Sequence, residues 1–347
     1  MLIDKKERTE TFGGLWTFRP DQNYGVTTFT CINVSKQNYS FSDFPPPNEY
    51  PDYCHHTKLR SYLASFVAHH KLENNMVFKK QVNLLEKSGN DWLLHLSNVE
   101  LKDGKWQPVG KEELIKAKNV AVCSGHHVDA NHVTFPKQES YKKTIIHSEQ
   151  YKNATHNNIK NQNVLVVGIG NSAVDTAVNL VDLGANKVTI STRSGAWIYP
   201  NYMFGLPTDQ FASRAFLNWV PRGFANWFTE LVVSQLQGDP KWWGLNPKNR
   251  ILSSQPTVSP TLIHHIQRGN IKIRQNIASF HENGVFFKDG QKDDFDSVIM
   301  CTGFKVDVPF LSPELKAAAF GDKKSKNSVN LYKQVFLPRT VFNQCSS

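Results

Sequence analysis

The chain has 347 residues and a formal net charge of +10, with 22 Phe, 8 Trp and 5 Cys. Such a length accommodates two intertwined domains or one large one, and the aromatic content allows a sizeable core. The cysteines (Cys31, Cys54, Cys123, Cys301, Cys345) are odd in number, scattered and without a Cys-x-x-Cys, which argues against a disulfide framework or zinc site and for a reducing compartment.

The lysines are spread along the chain, and the cluster Lys323-Lys324-Ser-Lys326 is short. Nucleic acid is therefore not an expected partner; the charge suits anionic phosphate cofactors or an acidic membrane surface. No stretch approaches the roughly 20 apolar residues that span a bilayer. Met1-Leu2-Ile3 runs straight into Asp4-Lys5-Lys6-Glu7-Arg8, so no secretory leader is read. Without one, the sequons at Asn33-Val-Ser35 and Asn38-Tyr-Ser40 carry no weight. The expected location is intracellular, either cytoplasmic or on the endoplasmic reticulum membrane.

In chain order, Phe41 to Tyr53 is Pro-rich and aromatic and predicts a packed loop. Thr57 to His70 predicts a helix with Leu59, Leu63 and Phe66 on one face. Met76 to Leu85 and Trp92 to Leu101 predict strands, followed by an Asp103-Gly104 turn and a further strand near Trp106. Lys118 to Cys123 predicts a short apolar strand ending in Ser124-Gly125. Lys152 to Gln162 is rich in Asn and Lys and predicts a domain boundary; a second lies near Ala278 to Gln291, with turns at Asn283-Gly284 and Asp289-Gly290. Phe211 to Leu236 is an aromatic helical stretch interrupted by Pro221, for which packing in a core or between domains is favoured over lying on a membrane. The paired His55-His56 and His69-His70 lack metal-ligand context, and no metal site is expected.

Val122-Cys-Ser-Gly125-His-His-Val128-Asp129 recurs as Met300-Cys-Thr-Gly303-Phe-Lys-Val306-Asp307. Each copy is an apolar run ending in a small-residue turn, which allows close backbone approach. Two such copies, flanking a central unit, suggest one outer domain interrupted by a second; coincidence between two βα turns is the alternative.

The central unit carries the clearest chemistry. Asn163 to Val167 is a continuous apolar strand of the doubly covered type. It runs into Gly168-Ile-Gly170-Asn171-Ser172-Ala173, where Gly168 permits the tight turn, Gly170 lets a pyrophosphate approach the backbone, and Ala173 allows close helix–strand packing. Val174, Ala177, Val178 and Val181 then fall at helical spacing, with Asp175, Asn179 and Asp182 expected to face away and Gly184 to end the helix. The helix N-terminus offers N–H groups to a phosphate. A lone GxGxxA is weak; the strand before it, the helix after it and a second strand at Lys187 to Ser191 make it strong. Thr192-Arg193 stands where an NAD site usually carries an acid, so a ribose 2′-phosphate and NADP(H) are predicted. The alternative is an exposed arginine without a ligand.

These motifs resemble those of the flavin-containing monooxygenases. Gly168-x-Gly170-Asn171-Ser172 with Asp175 looks like the family's NADPH motif. Glu7-Arg-Thr-Glu-Thr-Phe-Gly13-Gly14-Leu15-Trp16 looks like its FAD segment, Tyr141-x5-His147-x3-Tyr151 like its linker signature (with Lys143 where a glycine is usual), and Met300-Cys-Thr-Gly303-Phe304 like its late motif. The resemblance implies an α/β fold of two Rossmann-like dinucleotide-binding domains, the NADP domain inserted into an incomplete FAD domain. The implied division is 1–155 and 281–347 for FAD and 156–280 for NADP(H). It further implies that Glu7 binds the FAD ribose, that Gly14, Leu15, Trp16 and Val34 line the FAD site, and that Asn33 acts catalytically beside the flavin. Ser172, Ala173, Val174 and Asp175 would contact NADP with Gly168, Gly170, Asn171, Thr192 and Arg193. The implied reaction is NADPH- and FAD-dependent transfer of one oxygen atom from O2 to a soft nitrogen or sulfur nucleophile through a C4a-hydroperoxyflavin.

Two departures stand against this. Glu7 lies too near Met1 for the strand and glycine loop that an FAD domain places about 20 residues before its ribose-binding acid. Val341-Phe-Asn-Gln-Cys-Ser-Ser347 also departs from the family. The sequence is thus expected to be a member shortened at both ends, with a catalytically impaired, NADP(H)-only protein as the alternative.

Overall fold

The computed structural model describes residues 5–102, 104–127, 129–211, 219–321 and 329–337. Asp103, Val128 and the Lys323–Lys326 cluster lie outside these residues. The amino-terminal part contains helix α1 (His56–His69) and an antiparallel sheet of β1 (Lys80–Ser88), β2 (Asp91–Lys102) and β3 (Lys105–Ala117), in that order. Helix α1 buries Leu59, Tyr62 and Val67, and the partly buried Phe66 stacks on Phe41 with centroids 4.1 Å apart. His55 caps the helix by accepting from the Thr57 N–H at 3.4 Å, a cap the sequence reading did not assign.

The centre of the molecule is a five-stranded, all-parallel sheet. Its strands are β4 (Thr144–His147), β5 (Asn163–Val167), β6 (Lys187–Ser191), β7 (Ile271–Arg274) and β11 (Ser297–Met300). The spatial order is β7-β6-β5-β11-β4. Residues 164–167 are buried because both faces of the sheet are covered, which is why the strand reads as an unbroken apolar run. Alternate side chains go to opposite cores. Val164, Val166, Ile190 and Ile299 pack with helix α2 (Asn171–Asp182) and helix α4 (Leu262–Gln267). Leu165, Val167, Val298 and Met300 pack against the antiparallel meander of β8 (Ile277–His281), β9 (Gly284–Phe287) and β10 (Lys292–Asp294). Truncating a fully buried side chain such as Leu165 to Ala would cost about 2–5 kcal/mol.

Several expectations are corrected. Lys118–Gly125 forms no strand and is exposed apart from the half-buried Val120, since no neighbouring strand among the described residues offers it hydrogen bonds. In the Asn- and Lys-rich segment that starts at Lys152, Ala154 and Ile159 enter the core, and Lys152 itself is 2% exposed. Strands β4 and β11, which come from either side of the span 156–280, share one sheet with β5, β6 and β7. On α2, Asn179 does not face away but accepts from the Tyr151 hydroxyl at 2.8 Å. Helix α3 (Arg222–Gln237) starts immediately after Pro221, as the proline dictates, yet its aromatic side chains are largely exposed and not packed in a core.

The two copies of the internal echo meet in space. Asp129–Ala130 pairs antiparallel with Phe304–Lys305, and the Thr302 hydroxyl donates to the Asn131 carbonyl at 2.7 Å.

Candidate dinucleotide and flavin sites

The strand order reverses between β5 and β11, so their carboxyl ends open a crevice of the kind in which doubly wound sheets bind ligands. Gly168 follows β5 with φ +129°, and a Cβ there would lie 2.4 Å from the Cys301 carbonyl oxygen, which follows β11. The glycine is therefore demanded by the crossing of the two strand ends. Gly170 differs: its φ is −76° and nothing lies within 4 Å of its Cβ position, so the space beside it is open to a ligand. No side chain caps α2 at this end, which leaves its first-turn N–H groups directed at that space.

Among the expected NADP contacts, Ala173 and Val174 have fully buried side chains that pack α2 on the sheet. Asn171 is occupied within the chain: its Nδ2 donates to the Pro256 carbonyl at 3.2 Å and its Oδ1 accepts from the Val258 N–H at 2.8 Å. Only its backbone is left for a cofactor. Ser172 is exposed at the helix start. Thr192 is buried and accepts from the Gly195 N–H at 3.0 Å, which shapes the turn after β6. That turn presents Arg193 to solvent with no hydrogen bond or ion pair among the described residues. Asp175 was expected to face away. Part of its surface reaches solvent, but crowding strips enough water from the carboxyl to push it up to about 7, and its charge acts on Cys31 and Cys301.

The flavin-like segment is also folded. Lys5–Lys6 pairs in parallel with Met76–Val77, which places Glu7 at a strand's carboxyl end. Its Oε1 accepts from the Thr9 N–H at 3.0 Å and the Thr9 hydroxyl at 3.1 Å. The next turn is held by Arg19, which is 4% exposed and donates to the carbonyls of Gly14 and Thr17 and to the Thr9 hydroxyl. Leu15 and Trp16 are half-buried, and Trp16 meets Tyr39 edge-on at 5.7 Å. Asn33 is exposed and Val34 half-buried.

Two residues that the motifs did not single out join the two segments. Asp209 accepts from the Ser35 N–H at 3.0 Å and from Asn38 Nδ2 at 2.7 Å, fastening the Asn33 loop to the central unit. Lys152 donates to the Tyr24 carbonyl at 3.1 Å, and its own carbonyl accepts from the Thr28 N–H. Burial, with Arg19 nearby, lowers its ammonium to about 8. His147, in the linker signature, is buried with an unpartnered Nε2, and burial with His132 close by lowers it to about 4. A polar residue in a polar stretch carries no sequence signal of this kind.

The two candidate sites do not fit their cofactors equally. The crevice at Gly168, Gly170 and Arg193 has the parts that a pyrophosphate and a 2′-phosphate require. The segment that resembles the family's FAD motif carries the acid and the apolar residues of that motif. Among the described residues, however, it has no strand–glycine-loop–helix of its own, and Lys118–Gly125 is unpaired. No helix among the described residues is long and apolar enough to cross a membrane.

Residues 5–343 match the family model for flavin-binding monooxygenase-like proteins. The chain is 33% identical to flavin-containing monooxygenase 5 of Homo sapiens, over 96% of this chain and 61% of that protein. It is 32% identical to dimethylaniline monooxygenase [N-oxide-forming] 2 of Oryctolagus cuniculus, over 96% and 62%. It thus spans about three-fifths of the length of these relatives. Among solved structures, the S-allyl-L-cysteine S-oxygenase of Allium sativum superposes with a TM-score of 0.63 at 19% identity, covering 97% of this chain and 64% of that one. The OTEMO complex with FAD and NADP gives 0.65 at 13%, covering 88% and 67%. The two-domain Rossmann-type fold expected from the motifs is the fold of these structures, the second of which holds FAD and NADP. The chain belongs to the flavin-binding monooxygenase-like family.

Proposed function

We propose that this chain carries the NADP(H) half of a flavin-dependent monooxygenase acting on soft nitrogen or sulfur nucleophiles. The observation that carries this reading is the unpaired Arg193 guanidinium at the end of β6, beside the open space at Gly170 and the uncapped start of α2. There the backbone N–H groups of Asn171 and Ser172 would hold the pyrophosphate, and Arg193 would make charge-assisted bonds to the 2′-phosphate. When bound, NADPH supplies a hydride. The chain contributes the binding geometry and, through Asp209 and Lys152, a fixed relation between this site and the segment bearing Glu7, Leu15, Trp16 and Asn33. In this reading β4 and β11 belong with 156–280 to the nucleotide half, and residues 5–130 form most of the flavin half.

The unpaired Lys118–Gly125 favours a second reading, a protein that binds NADP(H) and not FAD. Calorimetric titration with NADP+ and NAD+, followed by a visible absorption spectrum after adding FAD, separates the two. The first reading expects preferential NADP+ binding, stoichiometric flavin, and NADPH oxidation that rises with a thioether or tertiary amine. Binding of NADP+ without flavin supports the second. Failure to bind NADP+ refutes both, and turnover of a ketone alone would redirect the first to a Baeyer–Villiger oxygenase.

A further inference from the structure

Asn33 and Val34 form a span of two residues strung between two anchors. At the near end, the buried Ile32 donates its N–H to the Cys54 carbonyl at 2.9 Å, and the Thr30 carbonyl accepts from the His56 N–H at 2.9 Å, which bridges this end to the start of α1. Ser35, 0% exposed, is the far anchor, and what holds it comes from the central unit. Asp209 Oδ2 accepts from the Ser35 N–H at 3.0 Å, from the Ser35 hydroxyl at 2.8 Å and from Asn38 Nδ2 at 2.7 Å. Three donors meeting one carboxylate oxygen make a charge-assisted hold that a neutral acceptor would not match. Oδ1 is buried with no hydrogen-bond partner among the described residues, so every bond of this carboxyl goes to the Asn33 loop. The Asn33 side chain makes no hydrogen bond of its own among the described residues, and its direction is therefore set by these two backbone anchors.

Asp209 is itself tied to the glycine loop by a short train of contacts. The Ile169 carbonyl, between Gly168 and Gly170, accepts from the Thr257 hydroxyl at 3.0 Å, and Asn171 Oδ1 accepts from the Val258 N–H at 2.8 Å. Thr257–Val258 pairs in parallel with Ile198–Tyr199. Two residues on, the Asn201 carbonyl accepts from the Thr208 N–H at 2.9 Å, which closes the hairpin of Tyr202–Met203 with Leu206–Pro207 and sets Asp209 just beyond it. Tyr199 and Met203 are buried and pack this run against Val233 and Ile251, so it has little freedom to shift. We infer that Asp209 is a positioning residue that sets Asn33 by reference to the dinucleotide loop, acting through Ser35 and Asn38. This rests on the reading of Asn33 as the residue beside the flavin.

Amide hydrogen exchange of the full chain reads the loop without any cofactor. Asp209→Ala should speed exchange across residues 32–39 by at least about tenfold, while residues 163–170 keep their rate and NADP+ titrates as in wild type. Asp209→Asn keeps the side-chain shape and removes the charge; it stands in where the alanine variant fails to fold, and should give a smaller rise at the same residues. Tyr202→Phe removes the bond from the Tyr202 hydroxyl to Asp52 at 2.8 Å, a second link between the same two segments, and should move neither readout. With FAD added, Asp209→Ala should lower the product formed per NADPH oxidised by about tenfold, release the balance as hydrogen peroxide, and bring no further loss when combined with Asn33→Ala. Unchanged exchange at 32–39 in both Asp209 variants, an equal rise along the whole chain, an equal effect of Tyr202→Phe, or losses at Asp209 and Asn33 that add, would each overturn the inference. A wild-type chain that takes up no FAD refutes the flavin reading of the segment, and the exchange result still decides whether Asp209 sets the loop.

Discussion

Gly168→Ala tests whether the first glycine of the nucleotide loop serves the fold or the cofactor. The new methyl would sit 2.4 Å from the Cys301 carbonyl oxygen and 3.2 Å from its carbonyl carbon, both backbone atoms at the end of a central strand. Neither can swing aside as a flexible side chain would. The residue would also be held at φ +129°, a sparsely populated region whose cost is about 1–3 kcal/mol, and overpacking against the strand end adds a comparable amount. The expected loss is about 3 kcal/mol or more, a large part of the roughly 5–15 kcal/mol that holds a domain together. Gly170→Ala is the control, because that position has φ −76° and open space around it. It should leave stability unchanged and weaken NADP+ binding by about tenfold or more by holding the pyrophosphate off the backbone. Urea denaturation followed by tryptophan fluorescence, with NADP+ titration of each variant, provides the readout. A Gly168→Ala protein within about 0.5 kcal/mol of wild type would refute the steric argument.

Arg193→Ala removes an exposed side chain, so stability should hold, whereas NADP+ binding should weaken by about 1.5–3 kcal/mol, roughly tenfold to over a hundredfold, with NAD+ binding unaltered; an equal loss for both dinucleotides would contradict the 2′-phosphate role. Lys152 has its ammonium lowered from 10.5 to about 8, so between these values the unfolded chain binds a proton that the folded chain has released, and stability should rise with pH across that window. Lys152→Met should flatten the rise in a series of melts, and an unchanged slope would count against the buried charge. His147 falls from 6.5 to about 4, so stability should drop on acidification across that range by on the order of 2–3 kcal/mol. His147→Asn should level that acid limb, which a melting series from neutral pH downward would detect.

What was legible in the sequence was local. Strand β5, the glycine loop, α2 and β6 were readable because a continuous apolar run, a turn and a period of 3.6 are properties of neighbouring residues. The placing of Arg193 just past a strand end was readable because that strand is a local apolar run. What was not legible depended on partners far along the chain. Lys152 and Ile159 sit in a stretch whose composition resembles a linker, yet the loop at Tyr24–Thr28 holds the ammonium and the carbonyl of Lys152, and Ile159 joins the core of the central sheet. Asp209 ties down Ser35 across 174 residues of sequence. The periodicity of Phe224, Trp227, Phe228 and Leu231 announced an apolar face but could not say whether protein or another surface covers it.

The two copies of the internal echo make the same point as a controlled comparison. Val120–Cys123 and Val298–Cys301 are similarly apolar and end in the same kind of turn. The second copy has β5 on one side and β4 on the other, and its Cys301 N–H donates to the Val167 carbonyl at 2.9 Å. The first copy has no strand on either side among the described residues, and its Val122 is 43% exposed. Intrinsic β-propensity spans only about 1 kcal/mol, so it cannot hold a strand whose backbone groups have no ladder partners. Amide hydrogen exchange should therefore be slow at Val298–Cys301 and fast at Val120–Cys123. Placing Val298-Ile299-Met300 at positions 120–122 should leave exchange there fast, because the sequence was never the deficit. Slow exchange in either form of the first copy would mean that a partner strand exists.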